Sequence, residues 1–336
     1  MTWFSALTGI DVETPQSVNE HLHLDGSYLV SNANQQRFQV GDLSLPNLTT
    51  LRQETTQGDS QISVSEIVAN VQDLHIAKEN TGATFQVASQ FNLLEMVSPS
   101  VRPEDGVGRY ENDRTQGPAC AIACGAGTIY RNYFAPIGEK KGQCEGVQID
   151  GLKDIADALK NHENSYWEMK NGYALPTIGG LERLNNVIAH MSRLEIDDLR
   201  GLLRIGVHAD TEVTLHKAGH NVTQVYCSAM PVSYGRDGSD LWQNIATLVL
   251  EAAYEATLLA ALQNSIKTGN KRVLLTLLGG GAFGNKSTWI INAILRALDV
   301  MKNADLDVFL VSYSAGNTIA EEIIERWSET QNSPFG

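Results

Sequence analysis

Downstream of residue 222 the apolar positions follow two alternating patterns. VTQVYCSA (222–229), VLLTLL (273–278) and DVFLV (307–311) are short apolar runs bounded by turn residues, as expected of strands buried on both faces. Residues 241–263, 288–298 and 318–327 carry apolar side chains at helical spacing. Strand and helix in regular alternation predict an α/β layered domain with parallel strands, because each helix returns the chain across the sheet. The most apolar stretch is 245–262, yet Glu251 and Glu255 sit four apart on one face of it. Carboxylates so placed predict a buried globular helix and not a membrane span.

Upstream the pattern is less regular. TFQVA at 84–88 reads as a buried strand, residues 90–97 turn helical up to Ser98-Pro99, and a loop rich in Gly, Pro and charge runs from 99 to 118. A helix is predicted at 152–160, and Trp167 and Tyr173 read as packing residues of the surrounding segment, with ligand stacking the alternative. Residues 32–61, rich in Gln, Asn, Thr and Ser, read as weakly structured. The expected organisation is an N-terminal accessory region over 1–80 and a main domain over 81–330, with an insertion near 135–220.

Composition narrows the partners. The chain has 336 residues, 42% of them hydrophobic, enough to bury a core without disulfide or metal staples. With 25 Lys+Arg against 39 Asp+Glu the formal net charge is −14, and no basic patch offsets it. Nucleic acid and anionic membranes are therefore not expected partners. Four cysteines, and an opening segment without basic and apolar signal regions, predict a cytoplasmic protein with reduced thiols. The sequons at Asn47, Asn221 and Asn285 are then chance matches.

Chemistry concentrates in two segments. In the first, the strand at 273–278 runs into Gly279-Gly280-Gly281-Ala282-Phe283-Gly284-Asn285 before a helix. Backbone N–H groups of such a turn, with the helix dipole behind them, suit a phosphate; the alternative is a tight turn needing positive φ. Gly279, Gly281 and Gly284 satisfy GxGxxG, but the next strand ends in Ser312-Tyr313-Ser314 where a dinucleotide site needs an acid. A P-loop reading fails at Asn285, which replaces the second glycine before Lys286-Ser287.

The second segment, 83–128, gathers Glu95, Glu104, Asp105, Glu111 and Asp113 around glycines. Carboxylates there can position a ribose, activate water or protonate a glycosidic oxygen, or simply form a solvated loop. Metal motifs are weak: HKAGH at 216–220 lacks the glutamate of HExxH, and Cys120 and Cys124 have no histidine partners. No motif demands magnesium, and no cofactor is expected.

These segments together resemble the macrodomain-fold ADP-ribose hydrolases of the poly(ADP-ribose) glycohydrolase-like branch, nearest a bacterial-effector group, with eukaryotic relatives, that acts on ADP-ribosylated ubiquitin. The likeness is carried by FQVASQFNLLEM (85–96), PEDGVGRYENDRTQGPACA (103–121), RNYF (131–134), NGY (171–173), VTQVYCSAMPVSYG (222–235), LGGGAFGN (278–285) and VFLVSYSAGN (308–317).

The resemblance implies a three-layer α/β/α fold with a mixed, mostly parallel sheet, and ADP-ribose or an ADP-ribosylated protein as ligand. It implies Ala88, Gln90 and Asn92 at the end of the first strand of the ligand site, with Gln116 nearby. Gly279, Gly280, Gly281, Ala282, Gly284 and Asn285 would wrap the diphosphate, and Phe283 would wall the distal ribose. Ser312, Tyr313 and Asn317 would border the adenosine. Glu104, Asp105 and Asp113 would reach the scissile ribose, with Asp113 or Glu104 as principal acid. The consecutive glutamates of the better-known glycohydrolases are missing, and Thr115-Gln116-Gly117-Pro118 stands in their place. A non-catalytic ADP-ribose reader, or an NAD- or ATP-binding enzyme, is the alternative.

Overall fold

The computed structural model describes residues 2–332 and is a mixed α/β protein built on a seven-stranded sheet. In spatial order the strands are Asp42–Ser44, Gly206–Glu212, Asn221–Cys227, Thr84–Ala88, Arg272–Leu275, Asp307–Ser312 and Ser63–Val68. The last five run parallel, with Val225 beside Gln86 and Val273 beside Thr84. The first two are antiparallel additions at one edge. The predicted mostly parallel sheet is present, and helices cover both faces in three layers.

The two-residue period of the strands divides the core. Gln86, Val225, Cys227, Val273 and Leu275 face the long helix Gln243–Thr268, where Gln86 Nε2 donates to Thr257 Oγ1 at 3.0 Å. Phe85, Val87, Tyr226 and Leu274 face the helices Val71–Ile76 and Gln116–Ala123. Among the described residues Gln243–Thr268 is the helix apolar and long enough to cross a membrane, and it lies in the core, as the paired glutamates predict. It stops where Gly269 takes φ +78° and returns its N–H to the Ser265 carbonyl at 2.8 Å. Leu250 and Leu258 are fully buried there, each contributing about 2 kcal/mol of apolar transfer.

The first 80 residues are woven into this body. Residues 42–68 supply both edge strands, and the stretch read as weakly structured holds strands Arg37–Gln39 and Asp42–Ser44 and helix Leu48–Glu54. Its polar residues are caps and strand edges: Asn47 Oδ1 accepts the Thr50 N–H at 2.8 Å. Segment 135–220 likewise delivers the sheet strand Gly206–Glu212. Phe4, Val18 and Leu29 form a further core with Tyr110, Ile129 and Phe134.

A second stretch departs from expectation. Residues 90–97 are a compact loop and not a helix: Leu93 adopts φ +63°, the Gln90 N–H donates to the Leu94 carbonyl at 3.0 Å, and Gln90 Oε1 accepts the Met96 N–H at 2.8 Å. The side-chain amide thus replaces a helical partner and turns the chain back on itself.

Candidate active site

A cleft of about 270 Å³ opens at the C-terminal ends of the parallel strands, where open α/β sheets place ligands. One wall is the glycine loop. The Tyr254 hydroxyl holds its root, donating to the Thr276 carbonyl at 2.9 Å and accepting the Leu278 N–H at 2.8 Å. Gly279 takes φ +76°, and a Cβ there would stand 2.5 Å from the Ala229 Cβ. Asn285 closes the loop: its N–H donates to the Gly279 carbonyl at 2.9 Å and its Nδ2 to the Met230 carbonyl at 2.9 Å. Gly281, Ala282 and Phe283 keep backbone N–H groups without a partner among the described residues.

The opposite wall is the start of helix Gln116–Ala123. Its first N–H groups, on Gln116 and Gly117, take no partner among the described residues, and Pro118 needs none. The Gln116 side chain docks on the central strand, Oε1 accepting the Ala88 N–H at 3.0 Å and Nε2 donating to the Gln86 carbonyl at 2.8 Å. No Lys or Arg is among the residues lining the cleft, so a diphosphate there would be held by backbone dipoles.

Two carboxylates enter this space. Glu95 comes off the 90–97 loop and is 4% exposed, its Oε1 buried without a hydrogen-bond partner. Burial raises its pKa well above the usual glutamate range; the nearby Arg131 charge opposes this and the Asp113 charge adds to it. Arg131 is itself fully buried, donating to the Leu93 carbonyl and Thr128 Oγ1, with its guanidinium over the Tyr226 ring. Asp113 is the more solvated acid, and its Oδ1 accepts the Thr115 N–H at 2.9 Å.

The third wall is aromatic. Phe283 stands 5.4 Å from Tyr173 and 5.7 Å from Tyr234, ring centre to ring centre, and the Tyr173 hydroxyl donates to the Met96 carbonyl at 2.6 Å.

Of the residues expected from the sequence, Ala88, Gln90, Asp113, Gln116, Gly279, Gly281, Ala282 and Phe283 line the cleft. Gly280 and Gly284 shape the loop backbone, and Asn285 staples it. Asn92 is buried behind it, bonded to Gln148 and the Leu94 N–H. Tyr313 is 76% exposed, and Asn317 caps the final helix through Ile319. Glu104 and Asp105 are turned elsewhere: Glu104 accepts the Glu145 N–H at 2.8 Å, and Asp105 accepts the Arg102 N–H at 2.8 Å, which holds its pKa below the usual range.

Glu95, one of the five candidate acids of 83–128, and Tyr173, read chiefly as a packing residue, also line the cleft, as does Tyr234, which the sequence does not single out. Each lies inside a segment that carries the resemblance, but nothing in the local pattern distinguishes a cleft position from core. His216 adopts φ +51° and His220 Nε2 meets the His75 carbonyl at 2.8 Å, so HKAGH is not one helical face. Among the described residues no group of three or more His, Cys, Asp or Glu is arranged to hold a metal ion.

No protein-family model matches this chain, and no curated protein matches it. Among solved structures it is similar to poly(ADP-ribose) glycohydrolase from Deinococcus radiodurans in complex with ADP-ribose, at 8% identity over 86% of this chain and 94% of that one, TM-score 0.42. It is also similar to poly(ADP-ribose) glycohydrolase from Thermomonospora curvata bound to the inhibitor ADP-HPD, at 12% identity over 96% and 97%, TM-score 0.42.

Proposed function

We propose that this protein is an ADP-ribose hydrolase that releases ADP-ribose from modified proteins, ADP-ribosylated ubiquitin among them, by cleavage at the distal ribose. The observation that carries the reading is the pairing, across one cleft, of unpartnered backbone N–H groups at 281–283 with a buried Glu95 whose pKa burial raises. The first suits a diphosphate and the second a leaving group that must be protonated.

In this reading Glu95 donates its proton to the departing side-chain atom as the anomeric C–O or C–N bond breaks. Asp113 stabilises the oxocarbenium-like ribose and orients the water that adds to the anomeric carbon. The proton released by that water returns to the Glu95 carboxylate. Two carboxyls in unlike surroundings, one buried and one solvated, divide the roles of acid and charge stabiliser.

Calorimetric titration with ADP-ribose, alongside NAD and Mg-ATP, tests the ligand. Selective micromolar-range binding, about −8 kcal/mol, is expected for ADP-ribose. Heat with NAD or Mg-ATP and none with ADP-ribose would return the glycine loop to a nucleotide-enzyme role. Release of ADP-ribose from a modified protein then separates a hydrolase from a reader.

A further inference from the structure

The N-terminal segment reaches the turn before Asp113 through Glu13 and Trp3. Glu13 enters the start of the turn Gly108–Asn112, where Oε1 accepts the Val107 N–H at 2.8 Å and Oε2 accepts the Gly108 N–H at 2.7 Å. The Tyr133 hydroxyl donates to Oε1 at 2.7 Å. Gly108 makes the room, since a Cβ there would stand 2.7 Å from Glu13 Oε2. A short helical turn is thus capped by a carboxylate from 95 residues earlier in the chain.

That turn bonds the backbone N–H of both cleft acids. The Tyr110 hydroxyl at its middle accepts the Glu95 N–H at 2.9 Å, and the Asp113 N–H at its end donates to the Tyr110 carbonyl at 3.1 Å. Trp3 fastens the same turn, its indole N–H on the Val107 carbonyl at 3.2 Å and its backbone N–H on the Glu111 carboxylate at 3.1 Å. The glycine loop on the facing wall has its own anchors in Tyr254 and Asn285.

We propose that Glu13 is a positioning residue, and that residues 2–13 form a clamp that sets Glu95 and Asp113 in the cleft without touching substrate. This rests on the hydrolase reading, and it predicts that turnover and ligand binding separate: loosening the clamp misaligns the acids while the phosphate loop keeps its shape.

Amide hydrogen exchange and steady-state kinetics on the full chain, with a mono-ADP-ribosylated test protein as substrate, decide it. In Glu13→Ala, exchange across residues 103–113 is expected to rise about tenfold or more and kcat to fall about tenfold or more, with KM and ADP-ribose affinity within about twofold of wild type. Glu13→Gln, which keeps one acceptor oxygen, should recover part of both. Unchanged exchange at 103–113, or kcat and ADP-ribose affinity falling together, overturns the clamp. If Glu13→Ala does not fold, Tyr133→Phe removes one bond to the same carboxylate, and wild-type kcat and exchange in that variant would be equally fatal. Loosening of 103–113 in a protein whose wild type neither binds ADP-ribose nor releases it sinks the hydrolase reading and upholds the clamp.

Discussion

Glu95 and Gly117 share one space: Glu95 Oε2 lies where a side chain at position 117 would begin, and the Ala88 carbonyl oxygen closes on the same point. The bare Cα lets the first turn of Gln116–Ala123 approach the central strand and lets a carboxylate from another loop stand beside it. In Gly117→Ala the Glu95 carboxylate can swing aside but the Ala88 carbonyl, being strand backbone, cannot. A loss of about 2–3 kcal/mol is expected, together with most of the turnover, read by thermal melting and by ADP-ribose release. A variant that melts with wild type and keeps its rate would contradict this close approach.

Glu95→Gln separates chemistry from binding. Burial, reinforced by Asp113 and opposed by Arg131, lifts the folded-state pKa of Glu95 well above 4.5. Its stabilising contribution is therefore complete below the ordinary glutamate value and is lost as pH rises through the raised one. Gln carries no proton to lose. Turnover should fall about 100-fold or more with ADP-ribose affinity retained, and stability should decline less toward alkaline pH. Parallel curves of unfolding free energy against pH for the two proteins would argue against a buried acid.

The glycine loop supplies an internal comparison. Gly279 has φ +76° with Ala229 Cβ 2.5 Å from the site of an added Cβ, whereas Gly281 has nothing within 4 Å. Gly279→Ala should cost about 2–3 kcal/mol and most ADP-ribose affinity, through strain and overpacking together. Gly281→Ala should leave the melting temperature within a degree or two of wild type. Equal destabilisation by the two changes would mean that the loop does not hold this backbone.

How far the sequence reaches is visible in these same residues. The second half, where each strand is a continuous apolar run and each helix has its own period, is legible element by element, from 307–311 against Asp307–Ser312 to 241–263 against Gln243–Thr268, whose end is five residues off. The glycine loop is legible as chemistry because consecutive glycines have few other uses, and Glu95 and Asp113 are legible as two of the five candidate acids of 83–128. That Glu95 is the buried one is not legible, because its place comes from a turn made by the Gln90 amide and from space left by Gly117, and neither pairing has a periodicity. The edge strands at 42–44 and 63–68 are three to six residues long and half polar, so their sheet position is set by partners far along the chain.

The paired glutamates of the long helix are ion-pair anchors. Glu255, 1% exposed, binds Arg52 Nε at 2.5 Å and Arg296 at 2.6 Å, and Glu251 binds Arg200 at 2.6 Å. Burial pushes the Glu255 pKa up, but hydrogen bonds from Arg52 and Arg296 outweigh it and leave it below the usual range. Glu255→Ala removes the buried partner of two half-buried guanidinium groups, which keep Asp197 and Glu251, and should cost about 1–3 kcal/mol. Glu255→Ala combined with Arg52→Met should recover part of that loss in a double-mutant cycle. Additive losses would show that the pair is not coupled.

His75 sets the opposite pH trend from Glu95. Its ring stacks on Phe85 at 3.8 Å, Nδ1 meets the Val71 carbonyl at 2.7 Å, and Nε2 meets Gln224 Nε2 at 3.0 Å. Those contacts use one donor and one acceptor, so the ring is neutral, with Nδ1 carrying the proton. Burial lowers the pKa from 6.5 to about 4, the hydrogen bond to Val71 opposing this and the neighbouring His220 assisting it. A lowered folded-state pKa means the unfolded chain takes up the proton first, so the contribution is present above about pH 6.5 and lost as pH falls toward 4. The loss amounts to at most about 3 kcal/mol. His208 and His220 are depressed by burial as well, so His75→Asn should reduce the slope of stability against pH in this window without abolishing it. Urea unfolding at half-unit pH steps reads that slope directly, and an unchanged slope in His75→Asn would show that the ring is protonated in the folded protein.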